Sequence, residues 1–198
     1  MSRVYINHKK KKIVILSYAG ATKYFRHLSE TKLKSYNPCN ANHLTFEHRS
    51  YEIIQVVREP VSRYMSWFDK QYIKPKYRSK VPFDEWVNNL LTIEWIDNFF
   101  EEAQYSLHYD GHTCYQSIWP KIHIKIIYDD SWKFLKMEDI NPYFLKEEKF
   151  EVFRDPEEYI GVWEVLNKKS KDHLLAKIVK VYTPDIYWYN NLEFISPK

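Results

Sequence analysis

Glycine is scarce in this chain: only Gly20, Gly111 and Gly161 occur in 198 residues. No GxxxxGK[ST] segment is present, which disfavours an ordinary P-loop nucleoside triphosphatase or kinase: the phosphate-contacting lysine and its neighbouring Mg²⁺-holding hydroxyl are both missing. Cysteine is equally sparse. Cys39 and Cys114 stand far apart, with no CxxC and no Cys/His cluster at ligand spacing, so neither a disulfide framework nor a zinc site is indicated, and free thiols in a reducing compartment are expected. No apolar run approaches the roughly eighteen residues that a membrane span needs, and the opening MSRVYINHKKKK lacks the apolar middle of a signal peptide. These absences point to a cytoplasmic protein without a membrane span. Charge of one sign is also modest. At a net +4 the chain does not demand nucleic acid as a partner, although a small anion would be favoured.

What is present suits a globular domain, with 44% hydrophobic and 18% aromatic residues over a length that can bury one substantial core. A single domain spanning 1–198 is expected. KIVIL at 12–16 reads as a strand covered on both faces, followed by the small-residue turn SYAGAT and the helical KYFRHL. YEIIQVV at 51–57 reads as a second strand, and Pro60 suits the first turn of the helix after it. On that helix Val61, Tyr64, Met65, Phe68 and Tyr72 share one face, while Ser62, Ser66, Asp69 and Lys70 share another. The segment 81–103 predicts helix with a break near Thr92. Residues 123–130 predict a third strand, SWKFL at 131–135 a short helix, and 171–182 a helix stopping at Thr183-Pro184. Strands alternating with helices imply an α/β fold with a central, mostly parallel sheet flanked by helices. The run His8–Lys12 is expected to be a solvated lead-in to the first strand.

An open α/β sheet binds ligands beyond the carboxyl ends of its strands, where helix N-termini offer unpaired N–H groups to anions. The turn 17–22 is suited to that place: Ala19, Gly20 and Ala21 allow close backbone approach, and Thr22 adds a hydroxyl where the helix begins. A tight connection with no ligand would look similar. Arg58, at the end of the second strand, would point a bidentate fork into the same crevice, and Ser66 could give a hydroxyl to the same anion. Arg63 is expected to support the corner. FRDP at 153–156 supplies an internal control, because eight residues past Arg154 stands Val162 and no hydroxyl-bearing face follows. Arg-acid-Pro alone therefore proves little.

Together these segments resemble sulfotransferases that use 3′-phosphoadenosine 5′-phosphosulfate (PAPS), in particular the carbohydrate sulfotransferases related to the heparan 2-O, Golgi chondroitin and HNK-1 enzymes. In that family an Arg-Asp-Pro-x-x-Arg-x-x-Ser segment holds the nucleotide's 3′-phosphate through its first Arg and its Ser. REPVSRYMS supplies Arg58, Arg63 and Ser66 at the same spacings, with Glu59 for the Asp. LSYAGAT is similar to the family's Pro-Lys-x-x-Gly-x-Ser phosphosulfate loop, with Gly20 and Thr22 in register but Ser17 where the lysine belongs. Either Lys23 or Arg26 is available as a substitute, or the loop binds nucleotide without efficient transfer. HTCYQS (112–117) is similar to a His-x-x-x-Gln segment, IIYDDSWKFL to a Phe-Glu-x-Leu strand and helix, and VYTPDIYWYN to a C-terminal Tyr-x-x-Asp-x-x-x-Phe signature, all in the family's order.

The resemblance implies a P-loop-NTPase-like three-layer fold, PAPS as cofactor with the desulfated nucleotide (PAP) as product, and a glycan or other small hydroxyl acceptor. An alternative is a nucleotide-binding module of the same fold that has lost turnover. Sulfuryl transfer needs a base to take the acceptor's proton, and the related enzymes carry a His or Glu between the two nucleotide segments. His43, Glu47 and His48 occupy that interval, with His43 about where the 2-O enzymes carry theirs. His112 and Gln116 are candidates for lining the acceptor side. No metal ligand set is evident.

Overall fold

The structure is a computed structural model, and it describes residues 4–16, 22–40, 44, 46–77, 80–103, 115–117, 132–146 and 161–196. The chain, read above as one domain, groups into two compact units that interleave in sequence: Met1–Arg58, Gln116–Phe153 and Asn190–Lys198 form one, and Glu59–Tyr115 and Arg154–Tyr189 the other.

The first unit is built on a five-stranded sheet of β1 (Val4–Asn7), β2 (Lys12–Leu16), β3 (Asn37–Cys39), β4 (Glu52–Val57) and β5 (Trp132–Lys136), in the order β3-β1-β2-β4-β5. β2, β4 and β5 run parallel, with Leu16 opposite Val56 and Val57 opposite Lys136. β1 is antiparallel to both β2 and β3. The fold is thus α/β, but the sheet is mixed, which corrects the expectation of a mostly parallel one. The reason lies in the lysine run. Residues 8–11 do not lead into the first strand; they form the turn of a hairpin, and so short a connection can join only antiparallel neighbours. Asn7 fixes this turn by accepting from the Lys10 amide at 2.9 Å and donating to Ser35 Oγ at 2.8 Å. Lys11 adopts the left-handed region (φ 48°) that reverses the chain.

β2 and β4 are buried on both faces, as their continuous apolar runs predict. Val14, Leu16, Ile54 and Val56 share one face and pack against Phe25 and Leu28 of α1 (Thr22–Thr31) and Ile140 of α5 (Ile140–Leu145). The Phe25 ring meets Tyr5 at 5.0 Å and Phe144 at 5.4 Å between centroids. Pro38 sits on edge strand β3, where a missing N–H costs no ladder bond. Cys39 is a free thiol, with burial pushing its pKa up.

Two sequence expectations change here. The helix predicted over SWKFL is instead strand β5: Trp132 and Leu135 are buried, Lys133 is exposed, and pairing with β4 supplies the backbone partners that a short helix would have to find locally. The strand predicted over 123–130 lies outside the described residues.

The second unit is helical: α2 (Pro60–Trp67), α3 (Phe83–Leu90), α4 (Ile93–Ala103), α6 (Val162–Val165) and α7 (Lys168–Asn190). α2 continues into a π-helical stretch, Phe68–Ile73. The break near Thr92 falls where predicted. Tyr64, Phe68, Val87, Ile96, Leu174 and Ile178 belong to this unit's own core. α7 does not stop at Pro184; it runs through it. Proline removes one intrahelical N–H, while Tyr182 and Asp185 on either side are almost fully buried. The neighbouring carbonyls gain side-chain donors: the Tyr115 hydroxyl donates to Val181 O at 2.9 Å, and Thr183 Oγ1 to Val179 O at 2.8 Å. Asn88 joins α3 to the others by donating to Val165 O at 2.8 Å and accepting from the Asn167 amide at 2.7 Å. Among the described residues no helix is long and apolar enough to cross a membrane.

Candidate functional site

The carboxyl ends of β2 and β4 lie side by side, because Leu16 pairs with Val56 in parallel register. The chain leaving β2 reaches α1 through residues 17–21, and the chain leaving β4 continues directly into Arg58. Both segments singled out by sequence therefore start from adjacent strands at one end of the sheet.

Arg58 is held by its backbone. Its N–H donates to Gln116 Oε1 at 2.9 Å, and its C=O accepts from Gln116 Nε2 at 2.7 Å. One side-chain amide thus does what an adjoining strand would do, satisfying both peptide groups just past the ladder's last pair. Gln116 is completely buried, and its own carbonyl accepts from Gln55 Nε2 at 3.0 Å. A residue so clamped cannot swing away from the sheet end. Gln116, expected on the acceptor side, has its amide engaged with Arg58; its role is to fix the arginine's backbone.

Beyond Arg58, Glu59 caps α2. Its carboxylate accepts from Val61 N at 2.9 Å and Ser62 N at 2.7 Å, and Pro60 follows at the position where no N–H is needed. The negative charge meets the positive end of the helix dipole. These amides are consequently taken, and an anion bound by this segment must be met by side chains. The sequence signal for this cap was an acidic residue directly before a helix-opening proline. Arg63 is 1% exposed within the second unit, whereas Ser66 is half-buried on α2. Arg58 closes the first unit and Ser66 belongs to the second.

Among the base candidates, Glu47 and His48 sit in the 3₁₀ turn Phe46–Ser50 that precedes β4. The His48 ring lies 5.1 Å from Tyr51 and 5.8 Å from His8, beside the hairpin turn. Six residues of β4 at about 3.3 Å each, roughly 20 Å, separate this cluster from Arg58. Glu47 and His48 therefore flank the wrong end of the strand to act on a group held at Arg58. Thr22 opens α1 and Lys23 falls in its first turn. Ser17, Ala19, Gly20, Ala21, His43 and His112 lie outside the described residues.

No family model, curated protein or solved structure matches the chain.

Proposed function

We propose that the chain is a PAPS-dependent sulfotransferase acting on a hydroxyl of a carbohydrate or other small acceptor, in a P-loop-NTPase-like three-layer fold. The observation that carries this reading is the position of Arg58: first residue past a buried parallel strand, backbone pinned by Gln116, next to the strand that leads into 17–22. An arginine fixed at the carboxyl end of such a strand offers a planar two-pronged donor to a phosphate. In this reading Arg58 and Ser66 take the ribose 3′-phosphate, while Ala19, Gly20, Ala21 and Thr22 surround the 5′-phosphosulfate.

The reaction requires little covalent work from the protein. The acceptor oxygen attacks sulfur in line, the bond from sulfur to the bridging phosphate oxygen breaks, and the acceptor's proton passes to a base. His43, about where the resembled 2-O enzymes carry theirs, is the first candidate for that base, with Glu47 and His48 as the alternatives. The bridging oxygen gains negative charge as PAP leaves, and Lys23 or Arg26 would stabilise it where Ser17 stands in place of the usual lysine.

Incubation with PAPS labelled in its sulfate and a panel of hydroxyl acceptors tests the reading: labelled product is expected, together with PAP. The Ser17 departure favours a second reading, a nucleotide-binding module without turnover. Saturable PAP binding with no transfer to any acceptor would select it, and absence of PAP binding would reject both.

A further inference from the structure

The lysine run that the transfer reading leaves unused leads to a different site. At the amino end of the parallel strands lies a cleft of about 490 Å³, whose lining includes Lys10, Lys12, Lys133, Lys146, Glu52 and Tyr143. Lys10 comes from the β1–β2 turn, Lys12 and Glu52 from the starts of β2 and β4, Lys133 from β5, and Tyr143 and Lys146 from α5 and its C-cap. Parallel pairing is what brings these first residues together, with Lys12 opposite Glu52.

Glu52 organises the floor. Its two oxygens lie 2.6 Å from Lys12 Nζ and 2.5 Å from Lys133 Nζ. Lys12 also donates to the Tyr143 hydroxyl at 3.0 Å, leaving that hydroxyl's own hydrogen available to an acceptor. Burial alone would disfavour the Lys12 ammonium, but hydrogen bonds to Glu52 and Tyr143 prevail and raise its pKa above 10.5. The ammonium form of Lys12 is thus favoured here. Each ammonium has three donors, so Lys12 keeps one and Lys133 two beyond those already engaged. Lys10 and Lys146 are exposed, and among the described residues neither has an ion-pair partner.

Among the described residues that line the cleft, four lysines against one glutamate leave a surplus of three positive charges. A purely structural ion pair would need one lysine for one carboxylate. The surplus raises the potential where walls of low dielectric focus it. We infer that this cleft is a second binding site, selective for a compact oxyanion carrying two or more negative charges, such as the diphosphate portion of a small metabolite. Lys12, Lys133 and the Tyr143 hydroxyl would hold it at the floor, and Lys10 and Lys146 would close on it at the mouth. The inference is independent of the transfer reading, since the cleft lies at the opposite end of β4 from Arg58.

Calorimetric titration with inorganic pyrophosphate in metal-free buffer tests it, using the whole chain and four variants. Lys10→Glu/Lys146→Glu is expected to weaken pyrophosphate binding at least tenfold. Lys168→Glu/Lys180→Glu, two exposed positions on α7, makes the same change in net charge and is expected to shift affinity less than twofold. Arg58→Ala is expected to leave pyrophosphate binding intact. Lys10→Ala/Lys146→Ala repeats the test should the charge reversal lower the melting temperature. No saturable pyrophosphate binding to the unaltered chain, equal loss in both charge-reversed variants, or loss in Arg58→Ala would each overturn the assignment. PAP binding that survives Lys10→Glu/Lys146→Glu separates this site's fate from that of the nucleotide site.

Discussion

At its carboxyl end β4 delivers Arg58 with both backbone polar groups held by the buried Gln116 amide, whereas at its amino end Glu52 sits between Lys12 and Lys133 in a cleft open to solvent. The first arrangement spends a neutral side chain to fix the place of one cation. The second gathers several cations around one anion, with Lys12 and Lys133 paired to it and Lys10 and Lys146 exposed. Fixed geometry suits a site that must hold a nucleotide in line for chemistry, and surplus charge suits one that only binds. On the two proposals, the same strand would separate two anion preferences by its own length.

The widest break in that comparison should come from the proposed base. If chemistry takes place at the Arg58 end, His43→Ala should lower turnover about 10²–10⁴-fold while nucleotide affinity stays within twofold. Parallel loss in both quantities would make His43 a structural residue. Gln116→Leu comes next. It strands the Arg58 N–H and C=O at the sheet end, a loss of about 2–3 kcal/mol of stability for two partly buried polar groups, and it should weaken PAP binding as Arg58 gains freedom. Urea unfolding of the variant checks the first part; an unchanged midpoint would show that water replaces the amide without cost.

The amino end should respond to pH and only mildly. Glu52 lies partly out of water, which alone would raise its pKa, but hydrogen bonds from Lys12 and Lys133 outweigh this and hold it below 4.5. A carboxylate with a depressed folded value stabilises the fold fully above its ordinary value and loses that contribution as pH falls through the lowered one. The melting temperature should therefore decline below about pH 4.5, and Glu52→Gln should flatten that limb by a small amount, since exposed pairs are worth about 0–1 kcal/mol. Asp97, likewise lowered by Lys177 and His173, contributes an acid limb that Glu52→Gln leaves in place.

How far the sequence could reach follows from where each signal resides. The runs KIVIL and EIIQVV are long enough and β-branched enough to declare buried strands, and Pro60 after Glu59 marks a helix start by local chemistry alone. The break at Leu91-Thr92 was legible for the same reason. β1 has only four residues, and WKFLK fits a strand or a helix turn until β4 is available as its neighbour. Pro184 stops helices on average, yet burial on both sides carries α7 through it. Gln116 was visible as a polar residue worth naming, but its clamp depends on contact with a strand far away in the chain, which no spacing rule encodes. The amino-end cleft is similar: its lysines come from four separate segments, and the parallel register of β2, β4 and β5 is what sets Lys12 and Lys133 on either side of Glu52.

The central claim is that Arg58, fixed past the end of β4, grips the 3′-phosphate of the nucleotide. Calorimetry with 3′-phosphoadenosine 5′-phosphate tests it without knowledge of the acceptor. The account predicts saturable binding to the unaltered chain and a loss of about 2–4 kcal/mol, roughly 30- to 1000-fold, in a folded Arg58→Ala variant. Equal affinity in the two proteins would contradict it.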